Sequence, residues 1–399
     1  MSNVWPHVAL AELVTQRRDP VKIGSGVEYR LLGVRWYGEG AFHRETVTRE
    51  TSKATTVYRV SPGQFIYNRL FAGKGAFGLV LPDFAGAFVS NEFPLFETDP
   101  ERLSAEYLNL YFQQRPVWDY VEAVSTGTTA SRNRWKESQF LAYHLPLPPL
   151  LVQERIVEMI GAVDDQIIAL DAEARALTAV LRRRRADLVA DDTHEAVRAE
   201  HTFDFSTGVR RTPDRATGPY RTPYLRSANV GYGTLDLSDV LEMNYDPVER
   251  EKFGLRYGDV VVSEGSASAN AVGMPAMWRD ELPGPVCTQM TLLRLRALEG
   301  VCIPEFVFHW SMWAYESGAF LDVAGGTNIK HISAKRAKGM AVHLPSLDRQ
   351  REMAAELDTM ESALKAIRVE AARLREVRAR LLSGLLDRTI AIESAEQGV

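Results

Sequence analysis

The sequence predicts an α+β fold in which one unit, a globular domain followed by a long helix, is present twice. Landmark residues recur at a nearly constant offset, and each half of the chain ends in a long segment with a heptad pattern of apolar side chains. The 399 residues also exceed what a single hydrophobic core usually covers. Two similar domains are therefore the expectation.

The repeat begins with an offset of 195 residues and drifts to 198 or 199 further along, as small changes in loop length would produce. At the first offset the aligned pairs are Tyr29 with Tyr224, Tyr37 with Tyr232, Gly63 with Gly258 and Gly78 with Gly273. At the second, Asn91 corresponds to Gln289. Their common order indicates a duplication.

Within each half, short β-branched and aromatic runs alternate with Gly, Pro and Asn, which is typical of short strands joined by turns. We expect strands at 64–67, 79–81, 259–262 and 290–295, in a strongly bent or barrel-like sheet. Apolar residues at helical spacing predict one helix in each half, at 105–114 and 304–315.

The heptad pattern starts after Pro149 and recurs 197 residues later. Each helix should run about 35 to 40 residues, or roughly 50 to 60 Å at 1.5 Å per residue. Among the ten second-copy positions, Arg378 alone is not apolar. The predicted coiled-coil interface comprises Ile156, Ile160, Val163, Ile167, Leu170, Leu177, Met353, Leu357, Met360, Leu364, Ile367 and Leu374.

Such a stripe on an exposed helix requires a partner. The matched register makes the other helix of the same chain the preferred one, in an antiparallel pair with the globular domains at opposite ends. Packing of each helix onto its own domain and dimerisation between chains are the alternatives. The stretch 182–185, four consecutive arginines, is interpreted as a solvated helix face, with a phosphate contact as the alternative.

Composition excludes several classes of protein. No segment is long and apolar enough to span a membrane, and no signal sequence is evident, so we expect a cytoplasmic protein. Cys287 and Cys302 are too few for a disulfide framework. The formal net charge of −5 does not decide for or against nucleic acid, because phosphate contacts need only a local basic face.

Catalytic motifs are absent from the sequence. Lys74 lies in a glycine-containing segment that lacks the spacing of a phosphate-binding loop, and no Asn-Pro-Pro-aromatic or Asp-Pro-Pro-aromatic segment is present. No lysine follows an acidic residue at the spacing common in metal-dependent nucleases, and the eight histidines lack metal-ligand spacing. We expect no enzymatic activity, no cofactor and no metal.

The two boundaries between a globular domain and a long helix share a proline-containing motif followed by glutamine. Leu-Pro-Leu-Pro-Pro-Leu at 145–150, followed by Gln153, Glu154 and Arg155, resembles the start of the first long helix in one family, the specificity subunits of type I restriction-modification enzymes. Leu-Pro-Ser-Leu at 344–347, followed by Gln350, is its second copy, with Asp348 as a minor departure. Segments 223–229, 257–265 and 325–328 are also similar to that family's recognition domains, so the resemblance covers essentially the whole chain.

The resemblance implies target-recognition domains at 1–149 and 193–346, long helices at 150–192 and 347–390, and a tail at 391–399. Each domain would read one half of a bipartite DNA site, and the helices would set the unread spacer, close to one DNA turn of about 34 to 36 Å. The implied partners are double-stranded DNA, two methyltransferase subunits and endonuclease subunits that translocate DNA. Catalytic motifs would then reside on those partners.

Two loops in each domain combine cations or amides with glycines, which suits contact with bases and phosphates. Tyr37 and Tyr232 recur too, but repeated aromatic residues more often belong to a core than to a base-stacking surface. The candidate DNA-binding residues are Asn68, Arg69, Lys74, Arg132, Asn133 and Arg134 in the first domain, and Ser266, Ser268, Asn270, Asn328, Lys330 and His331 in the second. The competing hypotheses are a coiled-coil scaffold without DNA specificity and a self-contained enzyme.

Overall fold

A computed structural model describes residues 5–127, 133–266, 268–326, 330–390 and residue 392. The chain divides into two compact units, the first formed by Met1–Leu170 with Glu370–Val399 and the second by Asp171–Val369. Because both boundaries fall inside the long helices, each unit contains one globular domain and a segment of each helix.

The first unit contains eleven described strands. They are β1 (His7–Ala9), β2 (Val14–Arg17), β3 (Pro20–Lys22), β4 (Tyr29–Val34), β5 (Ala41–Val47), β6 (Thr56–Arg59), β7 (Phe65–Tyr67), β8 (Phe77–Leu79), β9 (Phe88–Val89), β10 (Leu95–Thr98) and β11 (His144–Pro146). A four-stranded antiparallel sheet has the order β2-β10-β7-β8, and a five-stranded sheet has the order β3-β6-β9-β4-β5 with β4 and β9 parallel. The third sheet pairs β1 with β11.

The second unit also contains eleven described strands. They are β12 (Ala196–Arg198), β13 (Phe203–Thr207), β14 (Arg221–Leu225), β15 (Leu241–Asn244), β16 (Val260–Ser263), β17 (Gly265–Ser266), β18 (Pro275–Met277), β19 (Cys287–Thr288), β20 (Leu292–Ala297), β21 (Lys330–His331) and β22 (Ala341–His343). Their sheets have the orders β13-β20-β16-β18, β15-β14-β19, β12-β22 and β17-β21.

The sheet orders reproduce the duplication that the offsets predict. β2-β10-β7-β8 corresponds strand by strand to β13-β20-β16-β18, and β5-β4-β9 corresponds to β15-β14-β19 with the same parallel pair. β7 and β16 are buried throughout, as expected for central strands covered on both faces. The strands are divided among separate sheets, so the expectation of one bent or barrel-like sheet is wrong.

Nine helices are described. They are α1 (Ala105–Tyr111), α2 (Arg115–Val124), α3 (Glu137–Leu141), α4 (Leu150–Val189), α5 (Pro247–Phe253), α6 (Pro304–Glu316), α7 (Ala319–Asp322), α8 (Ala334–Lys338) and α9 (Leu347–Leu386). The helix predicted at 304–315 is confirmed as α6. The one predicted at 105–114 ends earlier, and α2 follows after a short break, because Pro116 near the start of α2 has no amide hydrogen to continue α1.

The two long helices, α4 and α9, have 40 residues each and begin 197 positions apart, as the heptad pattern predicts. In the first unit the beginning of α4 lies in one hydrophobic cluster with the end of α9, where Ile156 and Ile160 join Leu382 and Leu385. In the second unit the end of α4 lies with the beginning of α9, where Leu181 joins Leu357. The helices therefore pair antiparallel within each unit.

The same clusters include residues of the globular domains, such as Phe140 in the first unit and Trp310 in the second. The heptad stripe is thus covered both by the other long helix and by the domain. Two of the interpretations that the sequence left open, helix pairing and packing onto the domain, apply together.

In each long helix one glutamine, 0% exposed, forms hydrogen bonds with the adjoining domain. It is Gln153 in α4 and Gln350 in α9. Gln153 accepts a hydrogen bond from the Ser104 amide (2.9 Å) and donates to the Arg102 and Pro148 carbonyls (both 2.9 Å). Gln350 likewise accepts from the Ile303 amide (3.0 Å) and donates to two carbonyls, those of Val301 and Pro345. This clamp explains why a glutamine follows the proline segment in both copies.

Replacing Gln350 with leucine should lower the free energy of unfolding by about 2–3 kcal/mol, because buried amide and carbonyl groups lose their only side-chain partner. Gln153→Leu should cost a similar amount, since the same three bonds are lost. Arg351→Ala, on the exposed face of the same helix, is the control and should change stability by less than about 0.5 kcal/mol. Urea unfolding measures all three, and equal losses for Gln350→Leu and the control would contradict the clamp.

A buried ion cluster joins α4, α6 and α9 in the second unit. Arg185, 0% exposed, bonds Glu316 of α6 (Nη1 to Oε1, 2.6 Å) and Glu361 of α9 (Nη2 to Oε1, 2.6 Å). The interpretation of 182–185 as a solvated face is therefore wrong for Arg185, although it holds for Arg183, whose side chain is 82% exposed. The physical reason is that Arg185 lies four residues after Leu181 and three before Leu188, on the apolar stripe itself.

The first unit contains a related arrangement around Arg378, the exception in the heptad pattern. Its guanidinium pairs with Asp164 of α4 (Nη2 to Oδ2, 2.8 Å) and donates to Gln113, just beyond α1 (2.8 Å). Asp164 and Glu361 are 197 residues apart, so the carboxylate has the same place in both copies of the repeat.

Among the described residues, no helix is long and apolar enough to cross a membrane.

Candidate nucleic-acid interface

The first predicted loop of the first unit follows β7. Asn68 is buried, and its side-chain oxygen accepts a hydrogen bond from the Leu70 amide (3.0 Å). Arg69 is only 14% exposed and lies between Glu92 and Glu137 (3.8 and 3.3 Å). In this structure both side chains hold the loop in place and are turned away from solvent.

Lys74 ends this loop on the surface, where it forms an exposed pair with Glu122 of α2 (3.1 Å). Gly75 has a positive φ of 75°, and a Cβ there would lie 2.5 Å from the Trp118 ring. The glycine is thus required by packing of the loop on α2, whereas the sequence suggested that glycines in this loop suit contact with bases and phosphates.

The second predicted loop of the first unit leads into α3. Arg134 is 38% exposed and donates two hydrogen bonds to Glu92, from Nε (3.1 Å) and Nη2 (3.0 Å), which hold the pKa of the Glu92 carboxyl below its usual value. Asn133 beside it is half-buried. Arg132 lies outside the described residues. Glu92 therefore contacts both Arg69 and Arg134 and ties the two loops of this unit together.

The two predicted loops of the second unit meet as strands. β17 pairs antiparallel with β21, so that Gly265 lies opposite His331 and Ser266 opposite Lys330. A Cβ on Gly265 would lie 2.3 Å from the His331 ring, so only glycine fits there. His331 is exposed and Lys330 half-buried.

The remaining candidates of these two loops are exposed or are not fully described in the structure. Ser268 and Asn270 are exposed, and the Asn270 carbonyl accepts a hydrogen bond from the Tyr315 hydroxyl of α6 (2.6 Å). For Ser266 only the backbone is described, and Asn328 lies outside the described residues.

Sequence reasoning missed several residues that the fold brings to these loops. In the second unit, a cavity of about 260 Å³ is lined by Arg210, Arg211, Glu264, Gly265, Gln289, Met290, Thr291 and His331. Val209 bonds the chain at 288–290, through its amide to the Thr288 carbonyl (3.1 Å) and its carbonyl to the Met290 amide (3.0 Å). This pairing brings both arginines beside the predicted loops.

The first unit has an arginine, Arg18, at the corresponding place. Arg18, just after β2, donates to the Asn91 side chain (2.5 Å) and lies over the Tyr58 ring at 5.1 Å from its centroid. The offset that aligns Asn91 with Gln289 was the available signal for this position. The arginines gave no such signal, because they follow strands whose ends the sequence does not define.

An exposed aromatic group lies beside the Lys74 loop. Trp36, Tyr37 and Phe71 are 44%, 59% and 38% exposed, and the Trp36 and Phe71 ring centroids are 5.2 Å apart. The expectation that Tyr37 belongs to the core is wrong, because its backbone has a φ of 60° and bonds the Lys74 carbonyl, which turns the side chain outward. Tyr232 is half-buried and bonds Glu316 through its hydroxyl.

The twelve residues of the predicted helix interface are all shielded from solvent to some degree. Six are buried, Ile156, Ile160, Ile167, Met353, Leu357 and Leu364. Six are half-buried, Val163, Leu170, Leu177, Met360, Ile367 and Leu374.

Among the described residues, no group of three or more His, Cys, Asp or Glu side chains could hold a metal ion.

The loops of the two units form the same backbone hydrogen bonds at equivalent positions. Residue 69 donates its amide hydrogen to the Glu92 carbonyl and accepts at its own carbonyl from the Trp135 amide. Residue 264 makes the same two bonds, to the Thr291 carbonyl and from the Ile332 amide. The two units thus present one backbone frame that carries different side chains.

Solved structures share this architecture. A chain of a type I restriction-modification system, from a study of complex assembly and conformational transition, matches with a TM-score of 0.65 at 16% identity, over 97% of this chain and 98% of that chain. The type I restriction-modification S subunit from M. genitalium matches at 0.54 and 13% identity, over 96% and 97%. No protein-family model matches the chain, and a search of curated proteins found no relative.

Duplicated α+β domains with two paired long helices define the class of fold. In particular, this is the fold of the specificity subunits of type I restriction-modification enzymes, as the boundary sequences indicated.

Proposed function

We propose that the chain is the DNA-specificity subunit of a type I restriction-modification complex, in which each globular domain reads one half of a bipartite DNA site. The observation that carries this proposal is the repeated loop frame. A shared frame holds the loops in equivalent positions, while different side chains at those positions suit two different half-sites. The fold that the chain shares with the two solved structures supports the same role.

The charges of the loops fit the proposal. Both units carry cations of the kind that bind phosphate groups or guanine bases. These are Lys74 and Arg134 in the first unit, and Arg210, Arg211 and Lys330 in the second. A net charge of −5 is compatible with these local groups, because contact with phosphate needs only a local basic face.

The proposal includes the partners that the resemblance implies: two methyltransferase subunits and endonuclease subunits, with the chemistry carried by those proteins. The subunit itself would then need no cofactor and would work in the cytoplasm beside the DNA. The two long helices would set the number of base pairs between the half-sites.

Selection from randomised DNA duplexes tests this function. The full chain, assembled with its methyltransferase subunits, should enrich one bipartite sequence with a constant spacer. No enriched sequence, with the complex intact, would contradict the proposal and favour a scaffold role for the paired helices.

Arg134→Ala should weaken recognition of one half-site by about tenfold or more, because it removes a partly exposed guanidinium and frees the Glu92 carboxylate at the loop. The other half-site should keep its sequence. Arg115→Ala is a matched control, since Arg115 is 65% exposed and pairs only along its own helix α2. Changes in both half-sites together would disprove the assignment of one domain to one half.

A further inference from the structure

The cavity beside β17 and β21 contains a carboxylate without an ion-pair partner. Glu264 is half-buried and follows β16 directly, and in the described part of the chain no arginine or lysine forms an ion pair with it. Burying a carboxylate without a paired cation is unfavourable. Titratable groups that burial perturbs beside a cavity are candidates for contact with a ligand.

Three basic side chains face the same cavity. Arg210 and Arg211 are exposed on the segment after β13, and no ion pair is found for either within the described ranges. His331 comes from β21 and lies against Gly265. The cavity therefore offers one hydrogen-bond acceptor beside cationic donors, in a space open to solvent.

The first unit has a different side chain at this position of the frame. Arg69 has the same backbone bonds as Glu264, but its side chain is 14% exposed and its guanidinium pairs with Glu92 and Glu137. The repeat thus replaces an internally neutralised arginine with an unpaired carboxylate. Packing of the frame does not require this change, because the backbone bonds are the same in both units.

Burial raises the pKa of the Glu264 carboxyl above its usual value, and the neighbouring His331 counteracts part of this effect. The folded protein therefore holds this proton more strongly than the unfolded chain does. Ionised Glu264 consequently lowers stability once the pH exceeds its raised pKa, and this cost disappears below the ordinary pKa of glutamate.

The chemistry of one base pair matches this arrangement. In the major groove a C·G pair presents the cytosine N4 amino group as donor, and guanine O6 and N7 as two acceptors. A carboxylate accepts from cytosine N4, and an arginine donates to guanine O6 and N7. Adenine fits less well, because its N7 acceptor beside the amino group would face the negative charge.

We propose that Glu264 reads a cytosine in the half-site of the second unit, by accepting a hydrogen bond from its N4 amino group, while Arg210 or Arg211 donates to the paired guanine. This assignment rests on the proposed DNA-specificity function. It makes Glu264 a specificity-determining residue whose position in the first unit is occupied by Arg69.

Duplex selection with the assembled complex tests the assignment. The wild-type chain should select a C·G pair at one position of the second half-site. Glu264→Gln should shift that position towards A·T by about tenfold or more, because an amide both donates and accepts and so matches adenine. Glu264→Ala should remove the preference there and leave the first half-site unchanged.

Glu251→Gln is the matched control, because Glu251 is exposed on α5 of the same unit, and it should leave every position unchanged. The Arg134→Ala variant identifies the half-site that belongs to the first unit. A bipartite site that Glu264→Gln leaves unaltered would overturn this inference and retain the proposed function. No selected site with the wild-type complex would overturn both.

A second readout separates recognition from a structural role. Glu264→Gln should raise the melting temperature of the full chain at neutral pH, since it removes a half-buried charge without an ion-pair partner, and the difference should vanish at acidic pH. A lower melting temperature for the variant would mean that Glu264 stabilises the fold, which would overturn the inference.

Discussion

Replacing Arg185 with methionine is expected to lower the free energy of unfolding of the second unit by about 3–5 kcal/mol. The guanidinium is 0% exposed and is the cation between Glu316, whose side chain is 7% exposed, and Glu361. Methionine fills much of the same space but takes the closest cation from the buried Glu316 carboxylate, which keeps the Tyr232 hydroxyl and the more distant Arg182 (3.6 Å) as partners. A buried carboxylate that loses its closest cation, more than the lost attraction itself, causes the loss of stability.

Urea unfolding followed by tryptophan fluorescence measures this effect, since Trp310 lies in the core that these helices cover. Arg183→Met is the control, because its side chain is 82% exposed and pairs only with Asp187 on its own helix. Adding Glu316→Gln and Glu361→Gln to Arg185→Met should recover much of the stability by removing the two carboxylate charges that Arg185 neutralises. A loss below about 1 kcal/mol for Arg185→Met would show that Arg185 does not neutralise the cluster.

Inserting four residues into each long helix should lengthen the unread spacer of the DNA site while leaving both half-sites unchanged. Four helical residues add about 6 Å, which is close to the rise of two DNA base pairs. The insertions belong after Leu170 in α4 and after Val369 in α9, because those positions are the boundaries between the two units and leave each unit's own packing intact.

The spacer is read from duplexes selected by the assembled complex. Insertion into α4 alone is the control, and it should reduce the stability of the helix pair, because only one of two paired stripes is displaced. A full-length complex that selects the original spacer after both insertions would rule out a spacer-setting role for the helices.

Regular periodicity made much of the fold predictable. Each long helix repeats its apolar residues over many turns, so both helices could be assigned from sequence to within a few residues. The prediction was less accurate where the signal is short. The strand expected at 79–81 is β8, Phe77–Leu79, because a three-residue strand depends on the partner that pairs with it.

The candidate site was predicted in part. Offsets placed the loops, and the structure brings the two loops of the second unit together as β17 and β21. Glu264 and the arginines after β13 were missed, because their importance depends on sharing a cavity with residues about 50 to 120 positions away in the sequence. The sequence also could not distinguish the half-buried Arg69 from the exposed Lys74.

The duplication, the α+β class and the lengths of both helices were determined by the sequence itself, since each depends on local spacing or on recurrence along the chain. Tertiary structure alone decided which charged side chains are neutralised and which remain available. The sequence predicts Arg69 in a DNA-binding loop and Arg185 on a solvated face, yet each pairs with carboxylates distant along the chain. Arg378 in the apolar stripe likewise pairs with the distant Asp164. Charge is a property of a residue, whereas its availability depends on what the folded chain places beside it.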